Sequence, residues 1–394
     1  MTLKPAFLQD GRFLKPEHLG LIENGAVAFD DESILWVGDS KDLPKKYLSF
    51  KQCDLSGHTL TPEIVDSHTH LVFGGDRAAE YTMRLNGADY IEIANSGGGI
   101  LNTMSGTNSL NRDELFLSAC ERIERIYSYG VGTIEIKSGY GLNFEKEFEC
   151  SHIINDLKNK YAPQIQIINT YMAAHAVPKK YSSSTEYLNN VVIPLLEKLA
   201  PEKILDAVDI FHEDGYFSVE DVEALFNRAK ALNINIKSHA DEFADGKGAI
   251  LAAKHGALST DHLLCTGNDG IKALSSGHTV ATLLPGTGFF LGKPQSDARK
   301  FWDAGCKVAI ASDYNPGSCH CDNVILVASL AAPHYKANIC ELWAAITLNA
   351  AHALGLRDQG AIVEKMLPRF SLFNTKSIDY VTYNWGRNFS VSLP

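Results

Sequence analysis

The chain has 394 residues, 45% of them hydrophobic, with a formal net charge of -11 and a pI near 5.7. That is ample material for a large buried core; at about 150 residues per domain it suits two or three domains, or a single α/β barrel. The acidity disfavours a nucleic-acid interface and an anionic membrane surface, since both need basic patches, but it leaves room for a small anionic substrate held by one arginine. Met1 to Gly20 lacks a charged head followed by an apolar core and a small-residue cleavage site, so no secretory leader is read. No apolar stretch reaches the roughly 18 residues of a membrane span. The 8 cysteines are scattered and few for the length, which fits a reducing cytoplasm better than a disulfide scaffold.

Along the chain, the first sixty or so residues read as short strands, Ala26 to Phe29 and Ser33 to Gly38, separated by Asp10-Gly11 and Glu23-Asn24-Gly25 turn signals. The pattern changes at Thr61-Pro62. Eight β-rich runs follow: Ile64 to Phe73, Thr133 to Ser138, Ile165 to Ala174, Ala207 to Phe211, Ile234 to His239, Ala257 to His262, Thr279 to Leu284 and Val308 to Ser312. Helical stretches such as Arg112 to Tyr129 and Val219 to Leu232 lie between them. Such alternation predicts βαβ units and a parallel sheet, and eight units fit a closed (β/α)₈ barrel better than an open doubly wound sheet. A last helix, Ile339 to Leu354, is followed by strand-like runs at Phe370 to Phe373 and Tyr380 to Tyr383. The expected division is a barrel over 62–356 and a small composite β domain, a β-sandwich, from 1–61 and 357–394.

Barrel enzymes carry their chemistry at the C-terminal ends of the strands. The first run contains His68-Thr69-His70, and residues i and i+2 of a strand share a face. The fifth ends in His239, and Asp313 follows the eighth. Taken singly these are weak signals: most His-x-His pairs bind nothing, and Asp313 can be a helix cap. Their common place at strand ends predicts a metal centre of three imidazoles and one carboxylate, suited to Zn²⁺, Fe or Mn. An activated water needs a proton acceptor and a leaving nitrogen needs a donor. Glu242, three residues after His239, is the candidate for both, although a first-turn acid at a helix N-terminus would read the same. His262, ending the sixth run, can hold the attacking water or polarise a carbonyl.

Other rim residues point to substrate. Arg77 can clamp a carboxylate, Tyr140 sits in a glycine-flanked turn, His175 ends the third run, and backbone N–H groups in Asn315-Pro316-Gly317-Ser318 can receive an anion. Ser96 to Gly99 reads as a mobile loop rather than a phosphate cradle. Cys319-His320-Cys321 lacks the second cysteine pair of a zinc module. His212 and Glu213 read as supporting or substrate-positioning groups rather than ligands.

These residues resemble the amidohydrolase superfamily, in its mononuclear branch, because no lysine ends the fourth run to bridge two ions. More specific stretches resemble the imidazolonepropionase family: His68 to Arg77, Met83-Arg84-Leu85-Asn86-Gly87, Glu135 to Leu142, Ala174 to Pro178, His239 to Glu242 and Asp313 to Ser318. The resemblance spans about Pro62 to Leu356. It implies one metal ion, Zn or Fe, on His68, His70, His239 and Asp313, and substrate contacts from Arg77, Tyr140, His175, Glu242, Asn315, Gly317 and Ser318. Glu242, His262 and Asp313 are the expected catalytic groups. The implied reaction opens the ring amide of an anionic imidazolone, 4-imidazolone-5-propanoate, and a homodimer fits the family. The rival readings are deamination of a heterocycle on the same metal core and a non-catalytic binding barrel. After Gly355 the family's closing β segment is hard to find, and Ala361 to Lys376 looks irregular.

Overall fold

The computed structural model describes residues 2–3, 10–88 and 98–394. Ser96 and Gly97 of the glycine-rich run lie outside them. The eight parallel barrel strands are Ile64–Asp66, Val131–Lys137, Gln166–Ala174, Ala207–His212, Ser238–Ala240, Ser259–His262, Val280–Leu283 and Val308–Ile310, each paired with its sequence neighbour. The fifth position has a second piece, Asn235–Ile236, on the fourth strand. The barrel closes beyond the regular strands: Thr69 bridges Tyr314, His70 N–H donates to the Tyr314 carbonyl at 2.9 Å, and Asp313 N–H donates to that of His68 at 3.1 Å.

The first strand is therefore much shorter than the apolar run that signals it. Its pairing slips between Ile64 and Val65 and stops at Asp66. From there the extended chain bonds the segment after the eighth strand through His68 and His70 while Thr69 keeps a bond to the second, its carbonyl accepting Lys137 N–H at 2.9 Å, so His68 and His70 stand at the mouth. Helices surround the strands. Arg112–Ser128 starts in a capping box between Asn111 and Glu114, and Val219–Ala231 in one between Ser218 and Asp221. Their apolar faces (Leu115, Ile123 and Ile126 on one, Val222, Leu225 and Phe226 on the other) are buried against the barrel. Strands covered on both faces read as continuous apolar runs, which is why the barrel pattern is easy to see in the sequence.

Two expectations fail. Ile339 to Leu354 is two helices, Ile339–Ala345 and Leu348–Ala353. Between them the Thr347 hydroxyl donates to the Trp343 carbonyl at 2.7 Å and the Ile346 carbonyl accepts Val65 N–H at 2.9 Å, so the helix end is pinned to the first strand. Tyr380 to Tyr383 is helical, within Asp379–Tyr383, not a strand. Ser377 Oγ accepts the Asp379 N–H at 3.3 Å and seeds a turn, and no strand partners the segment.

Both chain ends share one five-stranded sheet. Phe370–Phe373 lies antiparallel to Thr59–Pro62, with Ser390–Val391 outside it and Thr2–Leu3 and Leu21–Ile22 on the other side. The hairpin of Gly25–Phe29 and Ile34–Asp39 packs Ile34 and Val37 onto Leu60, Ile362 and Leu372 of this unit. Among the described residues no helix is long and apolar enough to cross a membrane, and all eight cysteines are free thiols.

Candidate active site

His68, His70 and His239 converge in the barrel mouth, with one ring nitrogen from each within 4.8 Å of the others. Asp313 Oδ1 lies 3.5 Å from His68 Nε2 and 4.0 Å from His70 Nε2. Burial, helped by neighbouring cations and imidazoles, pushes all three histidines well below the ordinary imidazole pKa, so they are neutral and keep a lone pair. Nε2 of His68 and Nε2 of His239 are buried with no hydrogen-bond partner among the described residues. Two orphaned acceptors facing a carboxylate would be costly unless something cationic joins them. A metal ion fits that donor set. Asp313 adopts φ 52°, and His262 adopts φ 80°; such strained non-glycine positions persist where the surroundings over-determine them.

Beneath these groups lies a layer that sequence reading missed. His68 Nδ1 donates to Asp261 Oδ2 at 2.7 Å, and His239 Nδ1 to Asp209 Oδ1 at 3.1 Å. Each carboxylate fixes the tautomer that turns Nε2 toward the mouth. The carboxylates are themselves paired: Lys137 Nζ lies 2.6 Å from Asp209 and 2.9 Å from Glu135, and Lys237 Nζ 2.8 Å from Glu135 and 3.8 Å from Asp261. All five side chains are fully buried. Burial works against its charge, yet Asp209, Glu135 and Asp261 together hold Lys137 above the ordinary lysine value. His68, Glu135 and Asp261 also bring ligand atoms within 4.8 Å of one another, but the two ammonium groups already occupy that acidic ground. A signal existed: Glu135, Lys137, Asp209 and Lys237 are charges inside otherwise apolar strand runs, and Lys237 stands two residues before His239 on the same face.

Around the mouth, Glu242 Oε2 lies 3.7 Å from His262 Nε2, and burial raises the Glu242 carboxyl to about 7 against the pull of Lys293. Glu242 belongs to a turn, and the next helix starts only at Gly248, so it is not a first-turn acid. Asp313 does not cap a helix either; Asn323 caps the helix that follows. His175 stacks on His70 with centroids 5.0 Å apart, and Tyr140 stands 5.6 Å from His70 and 5.2 Å from His175. The turn that carries Tyr140 is clamped by buried Glu147, which accepts the N–H groups of Gly139, Gly141 and Leu142 at 3.0, 2.6 and 2.9 Å. Gly139 is required there: φ is +117°, and a Cβ would sit 2.7 Å from the Met172 carbonyl oxygen.

Two parts of the substrate rim are already engaged within the chain. Arg77 is not free, since Nε and Nη2 engage Glu80 at 2.8 and 2.7 Å; only Nη1 remains, so close to Gly317 that a Cβ on Gly317 would meet it at 2.0 Å. The N–H groups of Gly317 and Ser318 are not an open anion nest, because Asn315 Oδ1 already accepts both, at 2.7 and 2.8 Å. The asparagine fills the concavity it helps form, and Ser318 Oγ is left 3.4 Å from Asp313 Oδ2. His212 is turned away from the mouth, its nitrogens against the carbonyls of Phe217 and Gly246 at 2.9 and 3.2 Å. Arg84, unassigned from sequence, donates from Nη2 to the Gly317 carbonyl at 3.1 Å. His320 of the Cys-His-Cys tract packs edge-on against Tyr314.

The chain is 40% identical over 384 residues to the imidazolonepropionase of Clostridium tetani, covering 96% of this chain and 91% of that one. It is 38% identical over 371 residues to the imidazolonepropionase of Paracoccus denitrificans, covering 94% and 92%. The chain belongs to the imidazolonepropionase family. No family model matches it. Among solved structures, the atrazine chlorohydrolase of Arthrobacter aurescens complexed with zinc and atraton superposes with a TM-score of 0.71 at 14% identity, over 92% of this chain and 87% of that one. The 5-methylcytosine deaminase of Klebsiella pneumoniae does so at 0.69 and 14%, over 91% and 90%. These two likenesses establish the amidohydrolase-type barrel that this imidazolonepropionase relative shares, and nothing finer.

Proposed function

We propose that the chain hydrolyses the ring amide of 4-imidazolone-5-propanoate to N-formimino-L-glutamate, as a step of histidine degradation. The observation that carries this is near-full-length similarity to imidazolonepropionases; the histidine cluster beneath an arginine-bearing rim supports it. A deaminase reading rests on fold likeness alone. The chemistry belongs to residues 62–356, with 1–61 and 357–394 forming a supporting β unit.

His68, His70, His239 and Asp313 would hold one ion, Zn²⁺ or Fe, since the neighbouring acidic ground is taken by Lys137 and Lys237. When bound, the ion supplies a water of lowered pKa and a Lewis acid for the ring carbonyl. His262 and Asp313 orient the attacking water. Glu242, poised by burial near neutrality, takes a proton from it and returns that proton to the ring nitrogen as the C–N bond breaks. The water oxygen ends on the carbonyl carbon as the new carboxylate. His262 also stabilises the developing oxyanion. Arg77 Nη1 receives the propionate, with Glu80 fixing the guanidinium. Tyr140 and His175 wall the ring on one side.

The test is an ultraviolet assay of the metal-loaded protein on 4-imidazolone-5-propanoate, run beside cytosine and guanine. Disappearance of the imidazolone with no ammonia released from either base is the expected result. Ammonia release without ring opening would overturn the reading.

A further inference from the structure

We propose that Glu213 is a positioning residue for Glu242, acting through the backbone of the turn that carries it. This rests on the role given to Glu242 above. Glu213 follows the fourth strand directly, and Glu242 lies two residues beyond the fifth. Those strands are neighbours, with Ala240 paired to His212, so the two acids rise side by side from the barrel.

Glu213 Oε1 accepts the backbone N–H groups of both Glu242 and Phe243, the second at 3.1 Å. The side chain is 5% exposed, and Oε2 has no partner among the described residues. A buried carboxylate given to two consecutive amides is an anchor for the segment that owns them, because it fixes both amides to one point on the neighbouring strand end. The segment needs an anchor. It lies in no helix or strand beyond Ala240, and Phe243 is 49% exposed. Asp241 within it adopts φ 54°. Asp241 ties the start of the segment, its carboxylate accepting Gly248 N–H at 2.9 Å and the Thr266 hydroxyl at 2.8 Å and its carbonyl accepting Cys265 N–H at 2.8 Å, but none of these bonds reaches the next two amides. The amides of Glu242 and Phe243 are thus held by Glu213, and through them the Glu242 carboxylate is kept beside His262.

The clamp needs an acceptor oxygen at the right reach, not a negative charge. That separates two conservative variants. Glu213→Gln keeps an acceptor at the same distance, and Glu213→Asp keeps the charge but withdraws it by one methylene. In the metal-loaded enzyme, Glu213→Gln should stay within about threefold of wild-type kcat, whereas Glu213→Asp should lose about 30-fold in kcat with KM changed by less than about threefold, as expected for a misplaced catalytic group. Hydrogen exchange followed by mass spectrometry should show residues 240–245 opening faster in Glu213→Asp alone, a readout independent of turnover. The reverse order of the two variants, equal loss in both, or wild-type kcat and exchange in both would each overturn the proposal. Glu242→Gln is assayed alongside. If it keeps wild-type turnover, the role of Glu242 falls, while the exchange data still decide whether Glu213 holds the turn.

Discussion

Glu242→Gln is expected to cut kcat by about a thousandfold, equivalent to about 4 kcal/mol of barrier, while leaving the bound metal unchanged. The amide fills nearly the same volume and can still hydrogen-bond, but it cannot take a proton from water or return one to the ring nitrogen. The carboxylate it replaces is mostly buried, with 11% of the side chain exposed, lies 3.7 Å from His262 and is raised to about 7. The base form must be present at the start of the cycle, so wild-type turnover should decline as the medium is acidified through and below that value. Kinetics and metal analysis on one preparation check both points. Turnover within tenfold of wild type would remove Glu242 from the mechanism, and loss of metal along with activity would make it a ligand instead.

Asp261→Asn is expected to weaken metal binding by about 10–100-fold, although Asp261 is not among the expected ligands. Asp261 accepts from His68 Nδ1 at 2.7 Å and faces both buried lysines. Burial works to raise its pKa, but Lys237 and Lys137 hold it below the usual carboxylate range, so it is an anion in the folded protein. An asparagine removes that charge from between two ammonium groups and can present its NH₂ to His68 Nδ1, which would favour the tautomer protonated at Nε2 and block the nitrogen that faces the mouth. Competition for zinc against a chelator measures the change directly. Unaltered affinity would show that the layer beneath the histidines has no hold on them.

The barrel was readable, and the four residues proposed as ligands could be picked out, because both readings follow one-dimensional rules. Fully buried strands are apolar runs between helical stretches, and His68, His70, His239 and Asp313 mark where such runs end. The layer below was not readable in the same way. Lys137 and Lys237 stand out in the sequence only as charges within apolar runs, and the pairing of neighbouring strands is what brings them to Glu135, Asp209 and Asp261. The internal pairing of the rim was not readable either, because it depends on which way each side chain turns: Glu80 engages Arg77, and Asn315 takes the amides of Gly317 and Ser318. Tyr380 to Tyr383 has strand-like residues, but a strand exists only where another offers it an edge, and none does there.

The central claim, a one-ion centre that opens an imidazolone ring, is tested most directly by titrating chelator-stripped protein with zinc while following imidazolone absorbance. Turnover should be absent at the start and should rise to a plateau at one ion per chain. Full turnover in the stripped protein, or a plateau reached only at two ions, would contradict it.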